Sequence, residues 1–585
     1  MSRARRLLSV TAVVLVVLLV SGCTSLPDSG PVVDADTDSQ VSEREAAEVN
    51  AVPPTRGASA EDVVLGYFKA MTAWPSDTDT VKQFLSTDAA RNWDPTAATI
   101  TYAGQLLPRD ESLSFSVPLN DPEKIDRNGS WAGRLPPGRD ELELDLTIED
   151  GQYRITNPPD ALIVPDSWFS QRFRVASLYY FDPSGRILVP DPVFVPRGEQ
   201  LTSTIITRLL AGPPADQQRV VRSFIPPGLR VEVSVPVSTT GVATVPLVGE
   251  AGSLAGDATE KMLAQLAWTL QQDPAISALR VTLDDEVLTG PSGEEEYQVS
   301  EAAPFDPSGY PATDKLFGVR AGALSTRDGN ELVPVPGPFG SGSLALRAAA
   351  VSIDGLAAAG VTDAGRELAV GPIVESEDGV GPPIRPLRGT SLLQPVWDFA
   401  GRVWVVDRTR RGAVVHILSD NGRGQRLTVP GVSGRDVRSF LVSRDATRFV
   451  AVVRGPRGDH LRIGRIEIDD RGGLDRVAKT DPIVVQPGSA VRIRDIAWTS
   501  PTTIALLMPV DPGAIYEVRT VSVDGSPTTS EPLSTTLAEP VRGLAGSPMT
   551  DLPTYGVTDQ GLINLTDGGS YGFLGDPASD IAYAG

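Results

Sequence analysis

Few residue types in this chain of 585 could carry covalent or acid–base chemistry. There is one thiol, Cys23, in the run Leu19-Val20-Ser21-Gly22-Cys23, and a lone cysteine forms no disulfide within its chain. There are two histidines, His416 and His460, so a multi-histidine zinc site is excluded and a Ser-His-Asp triad would have to draw on one of them. His416 lies in the alternation Val414-Val415-His416-Ile417-Leu418 and is expected as a strand residue, whereas His460, after Gly458-Asp459, is expected in a loop. No phosphate-binding glycine loop or H-E-x-x-H pair occurs. Asp34, Asp36 and Asp38 alternate, with Glu45 at the twelfth position of a would-be calcium loop. Ser39 stands where that loop needs glycine and no helical apolar spacing flanks it, so the stretch is expected as solvated acidic linker. Glu294-Glu295-Glu296 is expected as a solvated charge run, and the two Asp-Pro-Ser-Gly segments, at Asp182 and Asp306, as turns. The expectation is a protein with no metal, no cofactor and no catalytic residue. Carboxylates brought together from distant parts of the chain are the one catalytic arrangement left open.

Around Cys23 the chain is laid out as a secretory signal. Arg3, Arg5 and Arg6 precede a nearly unbroken apolar run from Val10 to Val20, which is too short to span a bilayer. Residues 1–22 are thus expected as signal peptide. Val20-Ser21-Gly22 before the cysteine resembles the bacterial lipobox. That resemblance implies that Cys23 becomes the mature N-terminus as an N-palmitoyl, S-diacylglycerol cysteine. Each buried acyl methylene contributes roughly 0.8 kcal/mol, so two or more chains anchor stably. The folded part would sit on the outer face of the cytoplasmic membrane, lipid-anchored and extracytoplasmic. A formal charge of −22 argues against nucleic acid and against docking on anionic lipid.

Behind the anchor the periodicities divide the chain. Residues 23–58, rich in Pro, Ser, Asp and Glu, are expected as a disordered tether. In 59–165, Ser59 can cap a helix with the apolar face Val63, Val64, Tyr67, Phe68 and Met71; a short helix around Val81, Phe84 and Leu85 follows. Period-two runs then take over at Leu113, Phe115, Val117 and at Leu142, Leu144, Leu146, Ile148, with Asp150-Gly151 as a hairpin turn. Such an α+β unit resembles the NTF2-like cone. In 190–300 a helix ends at Gly212-Pro213, an alternating strand covers Leu229, Val231, Val233 and Val235, and a strand Val242 to Val248 leads through a helix that Asp257 can cap to a strand Leu279 to Leu283. Leu209-Leu210-Ala211-Gly212-Pro213, Ile225-Pro226-Pro227-Gly228, Val242-Ala243-Thr244-Val245 and Leu266-Ala267-Trp268-Thr269-Leu270 make this unit resemble the GerMN domain, an α/β assembly module. In 310–585 paired short strands recur at propeller spacing, beginning at Ala348, Val396, Ser439, Asp495 and Arg542. Ala578 to Tyr583 reads as an inner strand without a second, and Leu316 to Ser325 as a blade without its first. Joining the two would close an all-β ring of about six blades.

This order of lipobox, NTF2-like unit, GerMN-like unit and propeller resembles the actinobacterial lipoprotein LpqB family. The resemblance implies an accessory of the MtrA–MtrB two-component system that meets the extracellular domain of the sensor kinase MtrB and affects cell-envelope homeostasis and division. Two other readings stand beside it: a cell-wall glycan or peptide binder, and a propeller hydrolase.

Overall fold

The structure is a computed structural model describing residues 50–585, apart from 76, 112, 199–200, 251, 253–255, 292, 363, 376–378, 420–421, 470–472, 486–489, 512–514, 528–534, 538–539, 567–569 and 574–577. Among the described residues strands dominate and no helix is long and apolar enough to cross a membrane.

The first unit opens with the helix Ala60–Ala70. Its capping box is formed, with Ser59 Oγ accepting from Asp62 N at 3.1 Å and the Asp62 carboxylate accepting from Ser59 N. Val63, Val64, Tyr67 and Phe68 are buried. Short helices Thr78–Lys82 and Thr87–Asn92 precede two four-stranded sheets. One runs Trp131–Arg134, Asn120–Asp126, Ala98–Ala103, Leu162–Pro165; the other runs Arg109–Glu111, Ser114–Pro118, Glu141–Glu149, Gln152–Ile155. Asp150 and Gly151 both have positive φ, as the tight turn from Glu149 to Gln152 requires. Phe115, Val117, Leu144 and Leu146 face the core. Leu113 falls in the preceding turn and Ile148 points outward, 57% exposed.

The second unit starts with a hairpin of Phe173–Phe181 and Leu188–Pro196; Leu178, Tyr180, Phe181, Leu188, Val193 and Val195 share a core with the helices Leu201–Leu210 and Gly256–Leu270, whereas Phe173 and Phe194 pack in the core of the first unit. Asp182 forms its turn, accepting from the backbone N of Ser184, Arg186 and Ile187. Val242–Val248 pairs in parallel with Ala278–Leu283, the crossover being Gly256–Leu270; Asp257 lies in that helix's first turn. The strand expected over Leu229 to Val235 is broken. Val231 pairs with Leu247 and Val237 with Ala243, so five residues oppose three, and Val233 is pushed into solvent at 87% exposure.

Among the described residues the third unit contains six four-stranded antiparallel sheets. Their first strands are Leu346–Val351, Val396–Trp397, Val437–Val442, Asp495–Ser500, Gly543–Ala545 and Ser579–Tyr583. The last of these pairs with Leu316–Arg320, placing Leu316 opposite Tyr583 and Phe317 opposite Ala582, so the C-terminal strand completes the N-terminal sheet. Recurrent Ser-x-Asp turns join first to second strands: Ser352 and Ser443 each donate to the aspartate two residues on, and accept from the backbone N of Ala357 and Arg448. His416 is buried in the strand Gly412–Leu418. His460, expected in a loop, instead lies in the strand Asp459–Ile468 with its side chain exposed. The turn at Gly458-Asp459 ends one residue earlier than its composition suggests, because His460 pairs with Val453.

Candidate functional site

The first strands of the sheets line one channel, and their starting ends bring together residues far apart in sequence. Arg347 and Arg438 stand second in their strands, and Arg494 and Arg542 directly precede theirs. Arg408 comes from the far end of Val403–Thr409, a second strand whose antiparallel course returns it to the same mouth. Together with Ser439, Asp495 and Asp580 these side chains line a cavity of about 540 Å³. Arg347, Arg494, Arg542 and Asp580 are exposed at its rim.

Four of the five guanidiniums have a partner at the rim. Arg438 Nη2 donates to Asp436 at 2.7 Å, Arg542 pairs with Asp559, Arg494 Nε donates to the carbonyl of Arg542 at 3.0 Å, and Arg347 Nη2 donates to the carbonyl of Leu392. Arg408 donates through Nη2 to Ser391 Oγ at 3.1 Å and faces no carboxylate at contact distance among the described residues. Burial holds it below the usual arginine range, with the charges of Arg438 and Arg347 adding to the effect. Arg408 Nε, Arg438 Nε and Ser439 Oγ are buried without a hydrogen-bond partner among the described residues. The carboxyl of Asp495 is raised to about 6 by burial, and the charge of Asp580 adds to the shift.

The other end of the channel is shut by the chain itself. Arg444, 4% exposed, donates to the carbonyls of Ser308 and Ala584, both at 2.6 Å. Ser308 belongs to the second Asp-Pro-Ser-Gly turn, where Asp306 accepts from Ser308 N. The hairpin of the second unit docks beside it. Arg448 donates to the carbonyl of Pro190, Arg465 pairs with Asp191 at 2.8 Å, and Arg186 lies over the ring of Phe399. A cleft of about 1180 Å³ runs where all three units meet, and its acidic groups include Asp191 and Glu467, both ion-paired.

Cys23 and the preceding Val20, Ser21 and Gly22 lie outside the described residues, as do Asp34, Asp36, Asp38 and Glu45. Glu294, Glu295 and Glu296 are exposed, and Glu295 pairs with Arg280 at 2.7 Å. No group of three metal-ligating side chains occurs among the described residues. Sequence reasoning missed the arginine mouth. Its signal was an arginine at or just before four inner-strand starts, in Arg347-Ala348, Arg438-Ser439, Arg494-Asp495 and Arg542-Gly543.

Three family models match in order along the chain. The lipoprotein LpqB N-terminal domain matches residues 53–170, the sporulation and spore germination domain 177–289, and the lipoprotein LpqB β-propeller domain 322–571. The second unit is accordingly GerMN-like and the third a β-propeller. Similar curated proteins are lipoprotein LpqB of Streptomyces coelicolor, 29% identical over 557 residues and 88% of each chain, and that of Thermobifida fusca, 24% identical over 580 residues, 90% of this chain and 91% of that one. The relative in Mycobacterium bovis is 26% identical over 564 residues and 89% of each chain. Among solved structures, the first GerMN domain of the sporulation protein GerM from Bacillus subtilis is 20% identical, covering 21% of this chain and 97% of that one, with a TM-score of 0.19. A chain of a nidogen/laminin complex is 8% identical, covering 46% of this chain and 98% of that one, with a TM-score of 0.33. Those scores are too low to carry an argument.

Proposed function

From the premise that this chain belongs to the lipoprotein LpqB family, we propose that it is a non-catalytic platform, anchored through acylated Cys23 on the outer face of the cytoplasmic membrane, that modulates a sensor kinase. The kinase would be MtrB of the MtrA–MtrB system, met through its extracellular domain, with consequences for envelope homeostasis and division. The platform would comprise an NTF2-like cone, a GerMN-like module and a six-bladed propeller. One observation carries this reading: the second unit docks at one end of the propeller through Pro190, while at the other end Arg347, Arg494 and Arg542 are exposed among the described residues. A contact there would shift the kinase between its states by the difference in affinity for the two. The test is direct binding of the soluble chain to the kinase's extracellular domain.

A further inference from the structure

Five guanidiniums from five sheets converge on one channel mouth in a chain whose net charge is −22. Like charges this close repel and lose hydration, so such a cluster needs counter-charge from somewhere. Asp436 answers Arg438 and Asp559 answers Arg542, while Asp580 faces Arg347 and Asp495 faces Arg494. Arg408 has no ion-pair partner of its own among the described residues: it faces Arg438 and Arg347, and the Asp436 charge that offsets them is already paired with Arg438. Three donors on residues lining the cavity, Arg408 Nε, Arg438 Nε and Ser439 Oγ, are buried and have no hydrogen-bond partner among the described residues. A buried donor left unsatisfied costs about 1–3 kcal/mol, more when it is charged, so three in one place mark a position built for an acceptor.

We propose that the mouth of the propeller channel is a binding site for a small oxyanion, the carboxylate or phosphate group of a soluble or wall-derived ligand, held by Arg408, Arg438 and Ser439. Arginine forks match the planar or tetrahedral oxygens of such groups, and a serine hydroxyl supplies a third donor. The cavity, about 540 Å³, is within the range of small-molecule sites and is larger than a bare anion needs. The remainder of the ligand would occupy the channel below, toward Arg444. This site stands independently of the kinase reading, since a ligand could bind there with or without a protein partner.

The test is calorimetric titration of the full chain, purified in detergent, with sulfate, inorganic phosphate and glucuronate at constant ionic strength, chloride being the control anion. Saturable binding of at least one of the three is expected, weakened at least tenfold by Arg408→Gln combined with Arg438→Gln and unchanged by Arg410→Gln on the exposed surface. Tighter binding of glucuronate than of sulfate would point to an acidic-sugar source, and the reverse to a free inorganic anion. Should the double variant fold poorly, as judged by its melting curve in chloride, Ser439→Ala takes its place with a several-fold loss expected. Absence of saturation with all three anions, or equal affinity in wild type and variants, would overturn the proposal and leave solvent as the occupant.

Discussion

Asp495 carries a measurable consequence of the channel's construction. Its carboxyl is raised to about 6 by burial, although it accepts a hydrogen bond from Leu544 N at 2.9 Å. An acid whose folded pKa lies above its unfolded value binds a proton in the native state first. Stability contributed by this group therefore rises as pH falls from about 6 towards 4, and is lost as pH rises through 6. Asp495→Asn keeps an acceptor for Leu544 N and removes the charge. We expect it to raise stability at pH 7.5 by on the order of 1–2 kcal/mol and to flatten the pH dependence between 4 and 6, both read from denaturant melts. A second residue-scale prediction concerns Asp191, which accepts from Gln217 within the second unit and, across the junction with the propeller, accepts from Arg465 and faces Arg448. Asp191→Asn leaves Arg465 without its carboxylate and Arg448 with Asp445 alone, and is expected to cost about 3 kcal/mol, with new protease cleavage between the units; an unchanged denaturation midpoint would contradict it. At this scale the sequence was readable where a residue acts locally, as in the Ser59 cap or the Asp182 turn. It was not readable where function needs residues from five sheets: no window contains both Arg347 and Arg542.

Among the elements, the C-terminal strand has the clearest task. Ser579–Tyr583 pairs with Leu316–Arg320, Ala584 accepts from Arg444, and Gly585 N donates to the carbonyl of Val351. Deleting residues 575–585 would open a sheet edge and unseat Arg444. We expect a lower melting temperature and protease sites across 310–585, whereas an unchanged melt would show that the ring does not depend on this strand. This pairing was legible because Ala578 to Tyr583 reads as an inner strand with no second after it and Leu316 to Ser325 as a blade without its first. The hairpin of Phe173–Phe181 and Leu188–Pro196 was not. Pro190, Pro192 and Pro196 argue against a strand, yet a two-stranded sheet leaves each strand a free edge where a missing N–H costs little. The interruption at Val233 was hidden for a related reason: its alternation is intact, and only the distance between the pairs Val231–Leu247 and Val237–Ala243 exposes the two extra residues.

At the scale of the whole molecule, the asymmetry between the two ends of the propeller is what links structure to role. The closed end meets the chain's own second unit at Pro190 and Asp191 through Arg448 and Arg465, and the carbonyl of Ser308 through Arg444. The open end combines exposed guanidiniums with a deep channel and is the surface that we assign to recognition. The measurement that tests this most directly is calorimetric titration of residues 24–585 against the extracellular domain of the MtrB kinase, with Arg494→Glu and Arg542→Glu variants run alongside. Saturable binding that is weakened by those reversals, and unaffected by reversing exposed Arg91 on the first unit, is the predicted result. No heat with wild type at high micromolar concentration, together with no co-sedimentation when both proteins are tethered on one vesicle surface, would contradict it.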